Sequence, residues 1–97
     1  MDFLLIAYDG TDPEAPRRRL AVREQHLEQV RQLQAAGHFI AGGAILDDRQ
    51  QMIGSTLYLR FDSREALDDY IARDPYQLHG VWERLEITPI RLVLLPV

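Results

Sequence analysis

The chain has no cysteine, no lysine and no asparagine, and its only serines are Ser55 and Ser63. Each absence closes off a chemistry. Without cysteine there is no disulfide, no thiol nucleophile and no thiolate-based zinc site. A cysteine-free composition suits the cytoplasm, where thiols stay reduced, and a cytoplasmic location is expected. Without lysine, Schiff-base catalysis on the protein is excluded. All 11 cationic side chains are arginine. No apolar run approaches the roughly 20 residues that span a bilayer, so no membrane partner is expected. The apolar start, Met1 to Tyr8, carries no positive region before it and runs into Asp9-Gly10. It reads as a buried strand rather than a signal peptide.

Basic character is also scarce. The formal net charge is -4, and the arginines are scattered apart from Arg17, Arg18 and Arg19. Such a balance opposes a large basic face, and no aromatics interleave with the short run, so nucleic-acid binding is not expected. The arginine run reads as the solvated first turn of a helix. The three histidines share no spacing with other ligand types that would hold a metal, and there is no phosphate loop or dinucleotide fingerprint; no metal or cofactor is expected.

What remains is an ordinary globular composition, 46% apolar and 27% charged over 97 residues. That length suits a single domain spanning 1–97 with one modest core. Phe3 to Tyr8 reads as the first strand, closed by Asp9-Gly10. Pro16 suits the opening turn of a helix, and Leu20, Leu27, Val30 and Leu33 recur at helical intervals up to the stop at Gly37. His38 to Leu46, with Gly42-Gly43 marking a bulge or a close backbone approach, and Met52 to Phe61 read as a hairpin. Ser63 is a suitable N-cap for a second helix, with Ala66, Leu67, Tyr70 and Ile71 as its apolar stripe and Pro75 as its stop. A short helical turn fits Tyr76 to Val81. Leu85 to Leu94 reads as the last strand, edge-placed and bent near Pro89.

The order β-α-β-β-α-β predicts an α+β fold: a ferredoxin-like antiparallel sheet with both helices on one face. The chain has no second layer to cover the other face, so a homodimer packed sheet to sheet is expected.

Candidate chemistry lies on the first helix. At about 100° per residue, His26 falls one turn before Val30 and Arg23 one turn before Leu27. Both polar residues then lie in the apolar stripe, with Glu24, Glu28 and Arg31 on the solvent side. An arginine in an apolar layer needs an anion or strong acceptors. A lone inward histidine is commonly just hydrogen-bonded in place, but the two together point to a polar pocket. Asp74, before Pro75, could simply organise a turn, or could orient an imidazole as a His–Asp pair that works as a general base. Ser55 interrupts the apolar face of the third strand and suits a pocket-lining hydroxyl; Gly54-Ser55 is not the strand-turn-helix elbow of a serine nucleophile. His38, near the end of the first helix, and His79, after Pro75, are weaker candidates.

These residues carry a family resemblance. The segment Arg19-Leu20-Ala21-Val22-Arg23-Glu24-Gln25-His26-Leu27 resembles the R-x-x-H-L motif on the first helix of YCII-related proteins. Gly37 to Gly43 is similar to the family's glycine-containing stretch, with Gly43 where proline is common. Gly54-Ser55 resembles its G-S/T step, Asp74-Pro75-Tyr76 with Gly80-Val81 its D-P-Y/F-x-x-x-G-V motif, and Pro89 a proline of its last strand. The resemblance implies a dimeric α+β barrel and an active site on a His26–Asp74 pair. It also implies metal-independent proton-transfer chemistry of the lyase or isomerase kind on small molecules. A related member is a dehydrochlorinase acting on a chlorinated hydroxyquinol, and the wider fold includes muconolactone isomerase. In that reading Arg23 binds or balances a substrate oxyanion, and Ser55, Tyr76 and Gly43 line the pocket. The alternatives are a non-catalytic small-ligand-binding module and a structural dimer.

Overall fold

The computed structural model describes residues 1–95; residues 96 and 97 of the expected 1–97 domain lie outside the described residues. Four strands and three helices follow in order: β1 (Asp2–Asp9), α1 (Ala15–Ala35), β2 (Phe39–Leu46), β3 (Met52–Arg60), α2 (Arg64–Arg73), α3 (Pro75–Leu78) and β4 (Trp82–Ile90). The sheet order is β2-β3-β1-β4, and every pairing is antiparallel. This is the expected ferredoxin-like arrangement, with α3 as the short turn after Pro75.

Period-two alternation builds the core. In β1 the residues alternate strictly between half-buried and buried, which places Phe3, Leu5, Ala7 and Asp9 on one face. Their partners across the ladder, Leu59, Leu57 and Ser55, share that face. Val22 of α1 and Leu67, Tyr70 and Ile71 of α2 pack onto it. Each fully buried large apolar side chain here contributes about 1.5–3 kcal/mol. The opposite face carries Leu4, Ile6, Tyr8 and Tyr58, all half-buried.

Local sequence sets the element ends. Ser63 caps α2 by accepting from the Ala66 N–H at 3.1 Å. Gly37 ends the first helix in the left-handed region at φ +83°, which costs glycine little. In the hairpin, a Cβ on Gly42 would lie 2.4 Å from the Thr56 carbonyl oxygen, so the glycine permits the close approach of β2 to β3.

Two expectations are corrected. The last strand begins at Trp82 and ends at Ile90, short of Leu94, because its ladder partner β1 begins at Asp2, opposite Ile90. Pro89 sits in this edge strand in regular register with Phe3; the irregularity is at the other end, where Tyr8 and Asp9 face Arg84 and Trp82 and leave Glu83 as the extra residue.

The second correction concerns α1. Its buried line is Ala15, Arg19, Val22 and His26. Leu20 is 64% exposed and Arg23 is also exposed, so the inward face is rotated from the one that Leu20 defines. The rotation is held by the acceptors that Arg19 finds under the helix.

Candidate functional site

Two polar networks lie along the inward face of α1, one against the sheet and one against α2 and α3. The first surrounds Arg19, whose side chain is 4% exposed. Its Nη1 donates to both oxygens of Asp9, at 2.9 and 3.0 Å, and its Nη2 donates to Ser55 Oγ at 2.9 Å. Trp82 Nε1 donates to the same Ser55 oxygen at 3.2 Å. The guanidinium carbon lies 4.7 Å from the centre of the Tyr76 ring. Burial pushes the Asp9 carboxyl above its ordinary value, and the bonded Arg19 partly opposes that rise. Arg19 Nε is buried without a partner among the described residues.

The second network surrounds Asp74, which is fully buried. His26 Nδ1 lies 2.9 and 3.0 Å from its two oxygens. Tyr70 donates its hydroxyl to Oδ2 at 2.5 Å, and the Tyr76 backbone N–H donates to Oδ1 at 2.8 Å. Asp74 therefore organises the turn into α3 and receives the imidazole as well; the two readings of this residue coincide. An ionised carboxylate only accepts, so the bond to Nδ1 places the ring hydrogen there and leaves the Nε2 lone pair. Among the described residues Nε2 has no hydrogen-bond partner, and His26 lines a cavity of about 140 Å³. The imidazole stacks on Tyr76 at 4.0 Å and meets the edge of Trp82 at 5.7 Å. Burial and the adjacent Asp74 push the Tyr70 hydroxyl well above the ordinary tyrosine range, so it remains a donor. Burial also raises the Tyr76 hydroxyl, against the pull of Arg19 and Arg23.

The structure brings the sequence-selected residues together. His26, Arg23, Ser55, Tyr76 and Gly43 all line this cavity, and Asp74 stands directly behind His26. Arg23 lies in the exposed part of the lining rather than in the buried stripe. His38 and His79 lie elsewhere: His38 stacks on Phe61 and pairs through Nδ1 with the Arg60 carbonyl, and His79 is exposed. Sequence reasoning missed four residues, namely Arg19, Asp9, Tyr70 and Trp82. By sequence Arg19 belongs to a solvated first turn, yet it lies two helical turns before His26 on the same face. By sequence Asp9 closes the strand, yet it continues the alternation of Phe3, Leu5 and Ala7.

A larger depression, about 1030 Å³, lies at the sheet end beside Tyr8, Asp12, Gln51, Glu83 and Arg84. Several of its charged groups are held by neighbours outside the lining: Arg18 holds Asp12 at 2.6 and 2.8 Å, Arg19 holds Asp9, and Arg84 pairs with Glu86 at 2.9 Å and lies over Tyr8. The smaller cavity has the convergent polar groups and the free base nitrogen that define a site. Among the described residues no cluster of three or more metal-ligating side chains occurs, and no helix is long and apolar enough to cross a membrane.

The chain has relatives among known proteins. The chain is 35% identical to an uncharacterised protein of Haemophilus influenzae, over 96% of this chain and 99% of that one. It is 28% identical to the protein YciI of Escherichia coli, over 93% and 98% respectively. Among solved structures, it is similar to 5-chloro-2-hydroxyhydroquinone dehydrochlorinase of Burkholderia phenoliruptrix in complex with 2,5-dihydroxybenzoquinone, with a TM-score of 0.81, 23% identity and 94% of each chain covered. That likeness shows the fold, a ferredoxin-like α+β subunit. The family model of the YCII-related domain matches residues 1–91, and the chain belongs to the YCII-related family.

Proposed function

We propose that this protein is a small-molecule enzyme in which His26 moves a proton and Asp74 orients it, in chemistry of the lyase or isomerase kind. One observation carries the reading: Asp74 holds His26 through Nδ1, while Nε2, at a cavity wall, has no partner among the described residues. A neutral imidazole so oriented is a general base, and its protonated form returns the proton as an acid. Arg23, at the exposed side of the cavity, balances charge that develops on the substrate. Tyr76 and Gly43 line the space it occupies. The dehydrochlorinase named above, which handles a hydroxylated single ring on the same fold, supports this choice of reaction class.

The working form in this reading is a cytoplasmic homodimer. Leu4, Ile6, Tyr8 and Tyr58 leave a half-buried sheet face with no covering layer among the described residues. An isologous contact with a second copy covers it. Sedimentation of the full chain at micromolar concentration is expected to give twice the monomer mass; a monomer throughout contradicts this part of the reading.

The function is tested by assaying hydroxyquinol-type and lactone substrates with the wild type and His26→Ala. Loss of the base is expected to lower turnover by about 10²–10⁴-fold, with circular dichroism and the melting temperature confirming the fold. Turnover unchanged in the variant overturns the proposal. A variant that only unfolds points to a structural histidine, and His26→Gln then serves as the comparison.

A further inference from the structure

Ser55 is 3% exposed and lies on β3 opposite Ala7. Its hydroxyl oxygen accepts two hydrogen bonds, from Arg19 Nη2 at 2.9 Å and from Trp82 Nε1 at 3.2 Å. A hydroxyl has two acceptor lone pairs and one hydrogen, and neither a guanidinium nor an indole N–H can accept. Both lone pairs are therefore engaged, and the hydrogen is turned away from both donors. No acceptor among the described residues receives it, and Ser55 lines the cavity that His26 lines.

We infer that the Ser55 hydroxyl is the donor to a substrate oxygen, and that the substrate is a single-ring carbon acid whose carbonyl becomes an enolate or phenolate. The inference rests on the proposed proton-transfer role of His26. In the step it describes, a C–H bond next to the carbonyl breaks and its proton passes to His26 Nε2. The electron pair forms the new C=C bond, and the carbonyl π pair moves onto oxygen. The charge developing there shortens and strengthens the hydrogen bond from Ser55, and no electron leaves the substrate.

Three further observations narrow the class. Arg19 gives its charge to Asp9, so it acts on the substrate through Ser55; it and Trp82 are positioning residues. Arg23 supplies a second attraction for an anionic oxygen from the exposed side of the cavity. The cavity, about 140 Å³, is well below those that hold drug-sized ligands, ~300–1,000 Å³, which suits one ring. The same pattern removes Ser55 from the role of nucleophile, because its lone pairs point at cations and N–H groups.

The test compares two probes of nearly equal shape, 4-nitrophenolate and nitrobenzene, titrated against the full chain and followed by absorbance and calorimetry. The wild type is expected to bind the phenolate about tenfold or more tightly than nitrobenzene, as one hydrogen bond to a charged oxygen provides. Ser55→Ala is expected to lose about tenfold in phenolate affinity while nitrobenzene binding is unchanged, and Ser55→Thr is expected to restore the preference. Should Ser55→Ala fail to fold, Ser55→Cys, close in shape with a weak S–H donor, takes its place. Equal binding of the two probes by the wild type, or a phenolate affinity unchanged in the variant, overturns the inference. Turnover by His26→Ala reads the proton-transfer role separately, so either claim can fail without the other.

Discussion

The two networks under α1 use the same helix face to opposite ends. Around Arg19, a permanent cation meets a carboxylate, and a serine oxygen absorbs a further N–H on each side. Arginine does not give up its proton in proteins, so this network holds charge in place. Around Asp74, the partner is a histidine, whose second nitrogen has no partner among the described residues. Here the carboxylate is fixed by Tyr70 and the Tyr76 N–H, and the group that remains free can gain and lose a proton. In the proposed reading, the first network holds the scaffold and aims Ser55, and the second carries the chemistry.

The largest effect is expected where the first network is broken. Arg19→Ala leaves Asp9 buried without its cation, and removing one partner of a buried pair costs about 3–5 kcal/mol. Urea denaturation at neutral pH measures it. Burial already raises the Asp9 carboxyl, and without the guanidinium the rise is larger. The native state of the variant then binds a proton that its unfolded state releases, so the deficit is expected to shrink as pH falls. A deficit that grows on acidification contradicts the assignment.

The second network is expected to respond in two separable ways. Tyr70→Phe removes one donor to Asp74 and is expected to cost about 1.5–3 kcal/mol of stability, the range for a hydrogen bond to a charged group. Thermal or urea unfolding reads it. Because the N–H of Tyr76 and His26 still hold the carboxylate, turnover in this variant is expected to fall far less than in His26→Ala.

Smaller effects sharpen the position of the helix face. Leu20→Gln is expected to change stability by less than about 0.5 kcal/mol, the range for surface sites, because Leu20 is largely exposed. At the start of α1, the Arg18 guanidinium holds the Asp12 carboxyl down to about 2 from 3.8. A lowered carboxyl stabilises the fold above its unfolded value, and that contribution is lost as pH falls from 3.8 through about 2. Asp12→Asn is therefore expected to flatten the acid limb of a pH–stability profile in that window and leave the high-pH limb unchanged.

The same contrast explains what could be read from sequence. The first three strands, α2 and its Ser63 cap follow from local pattern and capping chemistry, and their structure agrees with that reading. Asp74 was legible because proline follows it and a polar residue stood inward on α1. Asp9 and Arg19 were not, because each looks solvated by its own neighbours: Asp9 beside Gly10, Arg19 after Arg17 and Arg18. Only the pairing of distant elements satisfies both, and burial of such a pair is invisible to periodicity that counts apolar residues alone. The apolar Leu20 and Leu27 set the helical wheel one position away from the observed face, and Arg23, one turn before Leu27, then falls in the expected stripe. The extra residue at Glu83 likewise depends on the register between β1 and β4, which no local motif encodes.

The central claim, that Asp74 fixes His26 in the form with a free Nε2, is tested most directly by long-range ¹H–¹⁵N correlation spectroscopy of the histidine rings, at a pH where the His26 ring is neutral. The account predicts a protonated Nδ1 and an unprotonated Nε2 for His26, with this tautomer preference lost in Asp74→Asn. A proton on Nε2 in the wild type, or a preference unchanged by the substitution, would contradict it.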